Sequence, residues 1–475
     1  MRWVALAAAV LAGCRSAPLS VAETPTRART PDGLYISWKE HLIDDQQLSG
    51  GVPLRGGDGL QMADLDKDGH LDIVSVHEDS NHIRLAFGSE DPDRWELVTL
   101  ADGDDAGAAE DVAIGDLNRD GWPDIIAACE LAHLIYFQNP GSDVRTRRWG
   151  RTIPPAASKR GSFIRVFFAD FNADGRLEVV AANKGEQLPT IDPRRLLDPG
   201  SQHPLKEISW FETGPEPLDG SLWKEQVLVR VRVPINSQPV DLDGNGDLDV
   251  LAGSAGEGRL RWMENLGGPQ IAFREHPIEV TGRNAAPAPG HKNLGGMNVA
   301  FVDLSRDGRL DMVLQETPTL LVWLEQPAGP SEPWRIHRIG DIGPDSTTGV
   351  AVADINSDRR PDVITGGYSQ NPRDHDGANI TAASSAGRLV WFEHPGDPRG
   401  AWVRHDISRT KRGMYDAFVA RDMDRDGDLD FVATRGNSGN FDGVFWLEQV
   451  RTPQPVPSFQ PARLRESAHL PLPPP

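Results

Sequence analysis

Short apolar runs alternate with acidic turns along most of the chain. One apolar run leads into each turn and another leads out, as in residues 60–63 and 72–74 around the first turn. Such runs, bounded by Asp, Asn and Gly, are typical of β-strands joined by tight turns. The turn has the pattern D-x-[DNS]-x-[DN]-[GR]-x-x-[DE] and occurs seven times, beginning at Asp64, Asp116, Asp170, Asp241, Asp303, Asp354 and Asp422.

The spacing of the turns, 51 to 71 residues, is that of a repeat protein. The fifth repeat is interpreted as four strands, at residues 297–302, 311–315, 320–325 and 334–339. The third strand recurs around Trp210, Trp262, Trp391 and Trp446, and the fourth begins near Trp95, Trp149, Trp223, Phe273 and Trp402. We therefore predict an all-β, seven-bladed β-propeller with four-stranded blades, in which the repeated aromatics and His41, His276, His337 and His405 are structural.

The last repeat lacks a fourth strand, because the chain becomes proline-rich after residues 446–448. A strand of the missing type lies at the other end of the chain, at residues 38–43. We expect this N-terminal strand to complete the last blade and close the ring, so that residues 35–450 form one domain.

The acidic turns also have the chemistry of a cation site. Positions 1, 3, 5 and 9 carry oxygen ligands, which in sufficient number suit Ca²⁺, and the sixth position is usually Gly. The loops are not EF-hands, because the twelfth position of the first is Ser75 and not a bidentate Glu. We predict up to seven Ca²⁺ sites, with these ligands: Asp64, Asp66, Asp68, Asp72; Asp116, Asn118, Asp120, Asp124; Asp170, Asn172, Asp174, Glu178; Asp241, Asp243, Asn245, Asp249; Asp303, Ser305, Asp307, Asp311; Asp354, Asn356, Asp358, Asp362; Asp422, Asp424, Asp426, Asp430.

The alternative is that these segments are ordinary Asp/Asn/Gly turns. Seven copies in one frame favour the metal interpretation, although Ser305 and Arg359 make the fifth and sixth loops the weakest. Of the 28 ligand positions, 23 are Asp or Glu, more than the entire net charge of −21. The charge thus fits bound cations, and the lack of a basic stripe argues against nucleic acid as a partner.

Blocks such as Val112-Ala-Ile-Gly-Asp-Leu-Asn-Arg-Asp-Gly-Trp-Pro-Asp-Ile125 resemble FG-GAP/VCBS repeats. The resemblance covers about residues 36 to 450 and implies a calcium-binding β-propeller. Within that superfamily, residues 56–140 are most similar to the propeller domain of aldos-2-ulose dehydratases, through His77-Glu-Asp-Ser-Asn-His-Ile-Arg84 and Cys129-Glu-Leu-Ala-His-Leu134. This closer resemblance implies sugar-processing chemistry, but the companion cupin and lectin-like domains have no room in this chain.

The first residues indicate export. Residues 1–13 have the character of a lipoprotein signal peptide, with Met1-Arg2 followed by an apolar stretch too short to span a membrane. They end in Leu11-Ala-Gly-Cys14, which resembles the bacterial lipobox and implies lipidation of Cys14. We expect an extracytoplasmic, lipid-anchored protein of the bacterial cell envelope, on the outer membrane; an ordinary secretory signal is the alternative.

The segments that flank the propeller differ from it in composition. Residues 14–34 are interpreted as a flexible tether and the proline-rich residues 451–475 as a disordered tail. After lipidation of Cys14 only Cys129 remains, so no disulfide can form. Blade packing and calcium would then have to supply the rigidity.

A ligand is expected at the mouth of the central tunnel, on the face opposite the acidic loops. The longest insertions fall there, at residues 184–205, 283–296 and 368–386, and the residues five and six positions after each ninth-position acid break the repeat symmetry. The first ring is His77, Cys129, Asn183, Ser254, Glu316, Gly367 and Arg435; the second is Glu78, Glu130, Lys184, Ala255, Thr317, Tyr368 and Gly436. The first strands add Asp58, Glu110, Asp111, Arg165, Asn236, Asn298 and Asp416.

Two functional classes follow, with a third as a further alternative. The first is a module that binds a carbohydrate or related polar ligand through Glu78, Lys184, Glu316, Tyr368 and Arg435. The second is a carbon–oxygen lyase on a keto-sugar or polysaccharide, with His77 and Glu130 as acid/base residues, since an unperturbed imidazole titrates at about pH 6.5. A protein–protein scaffold and a merely water-filled polar tunnel are the remaining alternatives.

Overall fold

The computed structural model describes residues 18–130, 133–185, 203–282, 294–369, 372–463 and 466–473. Their strands form seven sheets of four or five strands, one sheet per repeat. The predicted signal peptide, residues 1–13, and the predicted lipidation site, Cys14, lie outside the described residues.

The strands follow the repeats along the chain, after an N-terminal strand β1 (Tyr35–Asp45). Blades one to three are β2 (Gly57–Ala63), β3 (Asp72–His77), β4 (His82–Phe87), β5 (Glu96–Asp102); β6 (Ala109–Gly115), β7 (Asp124–Cys129), β8 (His133–Gln138), β9 (Gly150–Thr152); β10 (Ser162–Ala169), β11 (Glu178–Gly185), β12 (Leu205–Glu212), β13 (Lys224–Arg232). Blades four and five are β14 (Pro234–Val240), β15 (Asp249–Ser254), β16 (Arg259–Asn265), β17 (Phe273–Pro277); β18 (Val280–Thr281), β19 (Val299–Val302), β20 (Asp311–Thr317), β21 (Leu320–Glu325), β22 (Trp334–Asp341). Blades six and seven are β23 (Ser346–Ala353), β24 (Asp362–Tyr368), β25 (Gly387–Glu393), β26 (Val403–Thr410); β27 (Phe418–Arg421), β28 (Asp430–Arg435), β29 (Gly443–Thr452) and β30 (Phe459–Gln460).

The predicted seven-bladed propeller is confirmed, and so is the way in which it closes. Strand β1 pairs antiparallel with β29, with His41 opposite Trp446 and Trp38 opposite Gln449. The last blade therefore takes its fourth strand from the N-terminal end of the chain. Two blades carry a short fifth strand that the repeat did not predict, because β18 adds parallel to β22 and β30 adds parallel to β1. Short 3-10 turns lie at Glu78–Ser80, Gly103–Ala106, Gly141–Asp143, Pro155–Ala157, Gly220–Leu222 and Gly439–Phe441.

The core lies between the blades. In the described part of the chain, each pair of neighbouring blades shares one hydrophobic cluster, and the seventh of these joins the last blade to the first. Successive residues of the second strand enter opposite clusters: Ile73 packs toward blade seven and Val74 toward blade two. Both faces of each blade are thus buried, which explains why the second strands consist almost entirely of apolar residues.

The outer strands carry a repeated histidine–tryptophan pair. The rings of His41 and Trp446 stack with centroids 4.1 Å apart, and equivalent pairs occur at His337–Trp323 and His405–Trp391. Each histidine Nε2 also contacts the glutamate that follows the third-strand tryptophan by two residues, as in the 2.7 Å contact between His337 and Glu325. These contacts place the repeated aromatics in packing roles, as predicted.

The structure differs from the expected tether and tail. Residues 18–34 and the described residues after 452 run along the last two blades: Val21 N donates to Leu470 O at 2.9 Å, and Thr26 N donates to Val456 O at 2.8 Å. Phe459 and Leu470 are each 7% exposed. The proline content indicated disorder, but proline is also compatible with extended chain at a sheet edge, which is the conformation that covers this blade.

An ion cluster holds the C-terminal segment in place. The guanidinium of Arg435 contacts Glu40 Oε1 at 2.8 Å and Glu466 Oε2 at 2.7 Å, and Arg463 pairs with Asp45. Burial raises the pKa of Glu466 to about 7, although Arg435 lowers it. His469 lines the same small cavity, and burial lowers its pKa.

We expect the C-terminal segment to be bound less tightly at pH 8 than at pH 6. A carboxyl whose folded pKa is raised stabilises the folded state fully below its unfolded pKa, and this contribution is lost as the pH rises through about 7. Hydrogen exchange of residues 456–470, corrected for the intrinsic pH dependence, measures the change. Glu466→Gln should remove the pH dependence; equal protection of the wild-type segment at both pH values would contradict this assignment.

Candidate functional site

The seven acidic loops share one backbone conformation at one end of the propeller. In the first loop, Asp64 accepts hydrogen bonds from the amides of Asp68 at 3.1 Å and Gly69 at 3.0 Å. The sixth position has a positive φ in every loop, and so does the fourth position, which sequence reasoning did not single out. The fourth-position residues are Lys67, Arg119, Ala173, Gly244, Arg306, Ser357 and Arg425.

The sixth loop keeps this conformation without glycine. Arg359 has a φ of 66° and its amide donates to Asp354 Oδ2 at 2.9 Å, the same contact that Gly69 makes in the first loop. A side chain in the left-handed region carries a strain cost. Arg359 made the sixth loop one of the weakest predicted Ca²⁺ sites, but it leaves the backbone of the loop unchanged.

In six of the loops, the ninth-position carboxylate ties the loop to its blade. Asp72 accepts from Leu65 N at 2.8 Å and from Gly88 N at 2.9 Å, so that it bridges the loop and the end of the third strand. The same pair of contacts recurs for Asp249 and Asp430. Burial raises the pKa of these acids, to about 7 for Asp72 and Asp430, because amide donors offset only part of the cost of desolvating the charge.

Two loops bring three carboxylates close enough to share a cation. One oxygen each of Asp64, Asp66 and Asp72 lies within 4.8 Å of the others, and the same holds for Asp422, Asp424 and Asp430. Oxygens around a single Ca²⁺ at about 2.3–2.6 Å can be at most about 5 Å apart, so both loops have the required dimensions. In the first loop Arg145 also contacts Asp66, at 2.6 Å, and Asp68, at 3.1 Å, and would compete with a cation.

At the opposite end, the tunnel mouth is shaped by β-bulges in the inner strands. The pairing register shifts between Gly57 and Leu60 on β2 and between Ala109 and Asp111 on β6, with further shifts on β10, β14 and β23. The unpaired residues are Asp58 with Gly59, and Glu110. Because a bulge turns a side chain away from the regular alternation, Asp58 and Glu110 come to lie next to Glu78.

Asp58, Glu78 and Glu110 form what we term the carboxylate cluster. One oxygen of each lies within 4.8 Å of the others; Asp58 is 5% exposed, Glu110 6%, and Glu78 half-buried. Burial, followed by the charge of Glu78, raises the pKa of Glu110 to about 8. Burial and the same neighbours also raise the pKa of Asp58 well above its usual range.

Beside this cluster, a network centred on Arg165 connects five blades. The Arg165 guanidinium donates to Asn298 Oδ1 at 2.8 Å and lies 3.6 Å from Asp416 Oδ2 and 3.9 Å from Asp111 Oδ1. Asn298 and Thr348 both donate to Asp416 Oδ1, at 3.1 and 2.9 Å. These residues belong to the inner region of blades two, three, five, six and seven, so their side chains meet around the axis.

A comparison with protein families agrees with the repeat seen in the sequence and the structure. The family model described as FG-GAP-like repeat matches residues 64–127 and 241–314, which include four of the acidic loops. The chain is an FG-GAP-repeat β-propeller. Among solved structures, the propeller is similar to the "Crystal structure of BBS1N in complex with ARL6DN, soaked with mercury", with 10% identity, a TM-score of 0.45 and coverage of 84% of this chain and 94% of that chain. No curated protein matches the sequence.

Five residues of the ring expected five positions after each ninth-position acid are buried within the blades: His77, Cys129, Asn183, Ser254 and Gly367. His77 is fully buried, with Nε2 3.1 Å from Ser75 Oγ, and burial lowers its pKa to about 3. Cys129 is also fully buried, and burial raises the pKa of its thiol. Second-strand side chains face the neighbouring blades, so His77 is a neutral core residue and not the acid/base expected from an unperturbed imidazole.

Arg435 also lies elsewhere than predicted. Its side chain leaves the axis and binds Glu40, Glu466 and the carbonyl of Phe441, as part of the cluster that holds the C-terminal segment. The sequence could not show this, because the partners lie about 400 residues away at one end of the chain and beyond the last repeat at the other.

Lys184 and Tyr368, which were also predicted, form polar contacts around the mouth. Lys184 is the extra residue where β11 shifts register, and its amine pairs with the carboxylate of Glu130. Tyr368 contacts Arg373, which in turn pairs with Asp79 next to the carboxylate cluster. Glu316 is half-buried on β20. Asp79, Arg373 and Thr348 were not predicted; only the polarity of their loops and strands could have drawn attention to them.

Two grooves of the described surface lie away from the mouth. One of about 630 Å³ is lined by Arg335, Arg338, Arg404 and Trp402 at the outer edge of blades five and six, and one of about 680 Å³ lies beside the third acidic loop. None of the described helical segments is long and apolar enough to cross a membrane.

Proposed function

We propose that the protein is a calcium-stabilised propeller that binds a carbohydrate or related polar ligand at the tunnel mouth. The observation that carries the proposal is the contrast between the two ends of the molecule. The loop end repeats one conformation seven times, whereas the mouth collects different polar residues from six of the blades. Equivalent positions in a purely structural repeat are expected to be alike, so this divergence indicates recognition.

Calcium is proposed for the acidic loops, with the first and seventh as the best-formed sites. Their carboxylate oxygens have the spacing that a shared cation requires, and the ligand atoms are all oxygen. Bound to these loops, Ca²⁺ would supply charge neutralisation. The hydrogen bonds from backbone amides to the first- and ninth-position carboxylates would continue to hold these side chains in place.

Lipid anchoring at Cys14 and an extracytoplasmic location are part of the same proposal. They are supported by the lipobox-like Leu11-Ala-Gly-Cys14. Calcium sites are readily filled outside the cytoplasm, where the concentration of the ion is high.

The lyase alternative has less support than the binding function. Its acid/base pair was His77 with Glu130, but His77 is sealed in the core with a pKa of about 3, and Glu130 is paired with Lys184. The residual support is the similarity of residues 56–140 to dehydratase propellers, which concerns the fold as much as the chemistry.

We expect Lys184→Ala to weaken ligand binding at least about tenfold, the loss of about 1.4 kcal/mol that follows from removing one charged contact. A glycan array with Ca²⁺-loaded protein identifies a ligand, and calorimetry with that glycan measures the change. Lys224→Ala, at an exposed position on the outer strand β13, is the matched control and should bind like the wild type.

Equal affinity of the Lys184 variant and the wild type would contradict the proposed binding site. An array without any hit, by a protein that melts cooperatively with Ca²⁺, would instead favour the scaffold alternative.

A further inference from the structure

The carboxylate cluster at the tunnel mouth is separate from the seven acidic loops. Asp58 and Glu110 lie in bulges at the starts of the inner strands of blades one and two, and Glu78 directly follows β3. The loops lie at the other ends of these same strands. A cation held here would therefore be a different kind of site from those that the repeat encodes.

No cationic side chain of the described protein contacts these carboxylates, although Lys184, Arg165 and Arg373 favour the charged forms of Glu78 and Glu110 at longer range. Asp58 Oδ2 is buried without a hydrogen-bond partner, and in the described part of the chain no hydrogen bond or ion pair reaches the carboxylate of Glu78 or Glu110. An unpaired buried carboxylate costs several kcal/mol, more when others lie close by. The side chain of Asp58 thus points to a missing partner.

The nearby cations are committed elsewhere. Lys184 pairs with Glu130, Arg373 pairs with Asp79, and Arg165 is held by Asn298, Asp416 and Asp111. None of these three side chains forms an ion pair with the cluster. Within the described part of the chain, the cluster therefore lacks a directly bound positive charge.

We propose that Asp58, Glu78 and Glu110 bind a hard divalent cation, Ca²⁺ or Mn²⁺, at the tunnel mouth. The three oxygens lie within 4.8 Å of one another, which fits ligands of one ion, and a set of carboxylates alone selects hard cations over Zn²⁺ or Cu²⁺. Three protein ligands leave about half of the six to eight coordination positions of Ca²⁺ open. Because Glu78 is half-buried, these positions face the mouth, where hydroxyl or carboxylate oxygens of a polar ligand can complete them.

The test uses metal alone, so its outcome does not depend on the ligand proposed above. The metal-stripped full chain is dialysed against Ca²⁺ or Mn²⁺, and the bound equivalents are counted by elemental analysis. Glu110→Gln and Asp58→Asn should each lose one equivalent. Glu257→Gln, in the turn after β15 at the same end of the propeller, should lose none, because its carboxylate pairs with Arg261 and Arg232.

Melting in EGTA separates loss of metal from loss of fold. Each cluster variant should melt at or above the wild-type temperature without metal, because it removes one charge from a crowded group. If both variants bind as many metal ions per protein as the wild type, the proposal is overturned, and the cluster is a group of carboxyls that share protons. Loss of the equivalent in Glu257→Gln as well would also overturn it, since the effect would then not be specific to the cluster.

Discussion

Removal of calcium with EGTA is expected to lower the melting temperature by about 6 °C. Binding to the folded state alone stabilises it by about 2.7 kcal/mol per site at 100 times Kd, so the two best-formed loops give about 5 kcal/mol, and the unfolding entropy of a domain of this size converts that into the shift. Scanning calorimetry in EGTA and in excess Ca²⁺ measures it.

The seventh loop is the most suitable place to test calcium binding by substitution. No ion pair of the described residues involves Asp422, Asp424 or Asp430, in contrast to the first loop, where Arg145 contacts the ligands. The double change Asp422→Asn and Asp424→Asn keeps oxygen acceptors for the amides of Gly427 and Asp426 while it removes two charges.

This double variant should lose about half of the stabilisation by Ca²⁺ and should be no less stable than the wild type in EGTA. A lower melting temperature in both conditions would show that the two carboxylates act through the fold and not through metal. An unchanged wild-type melting temperature on chelation would refute calcium stabilisation altogether.

Removal of residues 1–45 is expected to abolish stable folding. Strand β1 forms the fourth strand of the last blade, and its Ile36, Trp38 and Ile43 are at most 2% exposed. Burial of three such side chains contributes about 5–8 kcal/mol, which is comparable with the whole stability of a typical domain. The deletion also exposes β29 as an open edge, which promotes aggregation.

Single substitutions on β1 should lower the stability to different degrees, according to how deeply each side chain is buried. Trp38→Ala should cost about 3–5 kcal/mol, measured by denaturant unfolding, because the large buried ring leaves a cavity between blades six and seven. Lys39→Ala, on the same strand, removes only a half-exposed ion pair with Glu448 and should cost less than about 1 kcal/mol. A truncated protein with wild-type stability, or equal effects of the two variants, would contradict the closure.

The sequence by itself determined the repeat, the number of blades and the closure. These follow from local patterns: seven copies of one acidic turn, apolar strands on both sides, and one surplus strand that matches one missing strand. Even the loop with Arg359 keeps the common backbone, because the carboxylate of Asp354 organises the turn locally. A pattern that repeats seven times averages out the ambiguity of any single copy.

Tertiary structure alone decided which polar residues meet at the mouth. Counting positions from the ninth-position acid of each loop placed His77 and Arg435 on the tunnel wall. Second-strand side chains instead point into the interfaces between blades. The residues that do reach the axis, such as Asp58 and Glu110, are aimed there by bulges, which depend on the pairing of two strands and leave no trace in composition. The C-terminal segment is fixed in the same way, since its ion pairs join Glu466 to Arg435 and Glu40 across the whole length of the chain, and only the closed ring brings those three together.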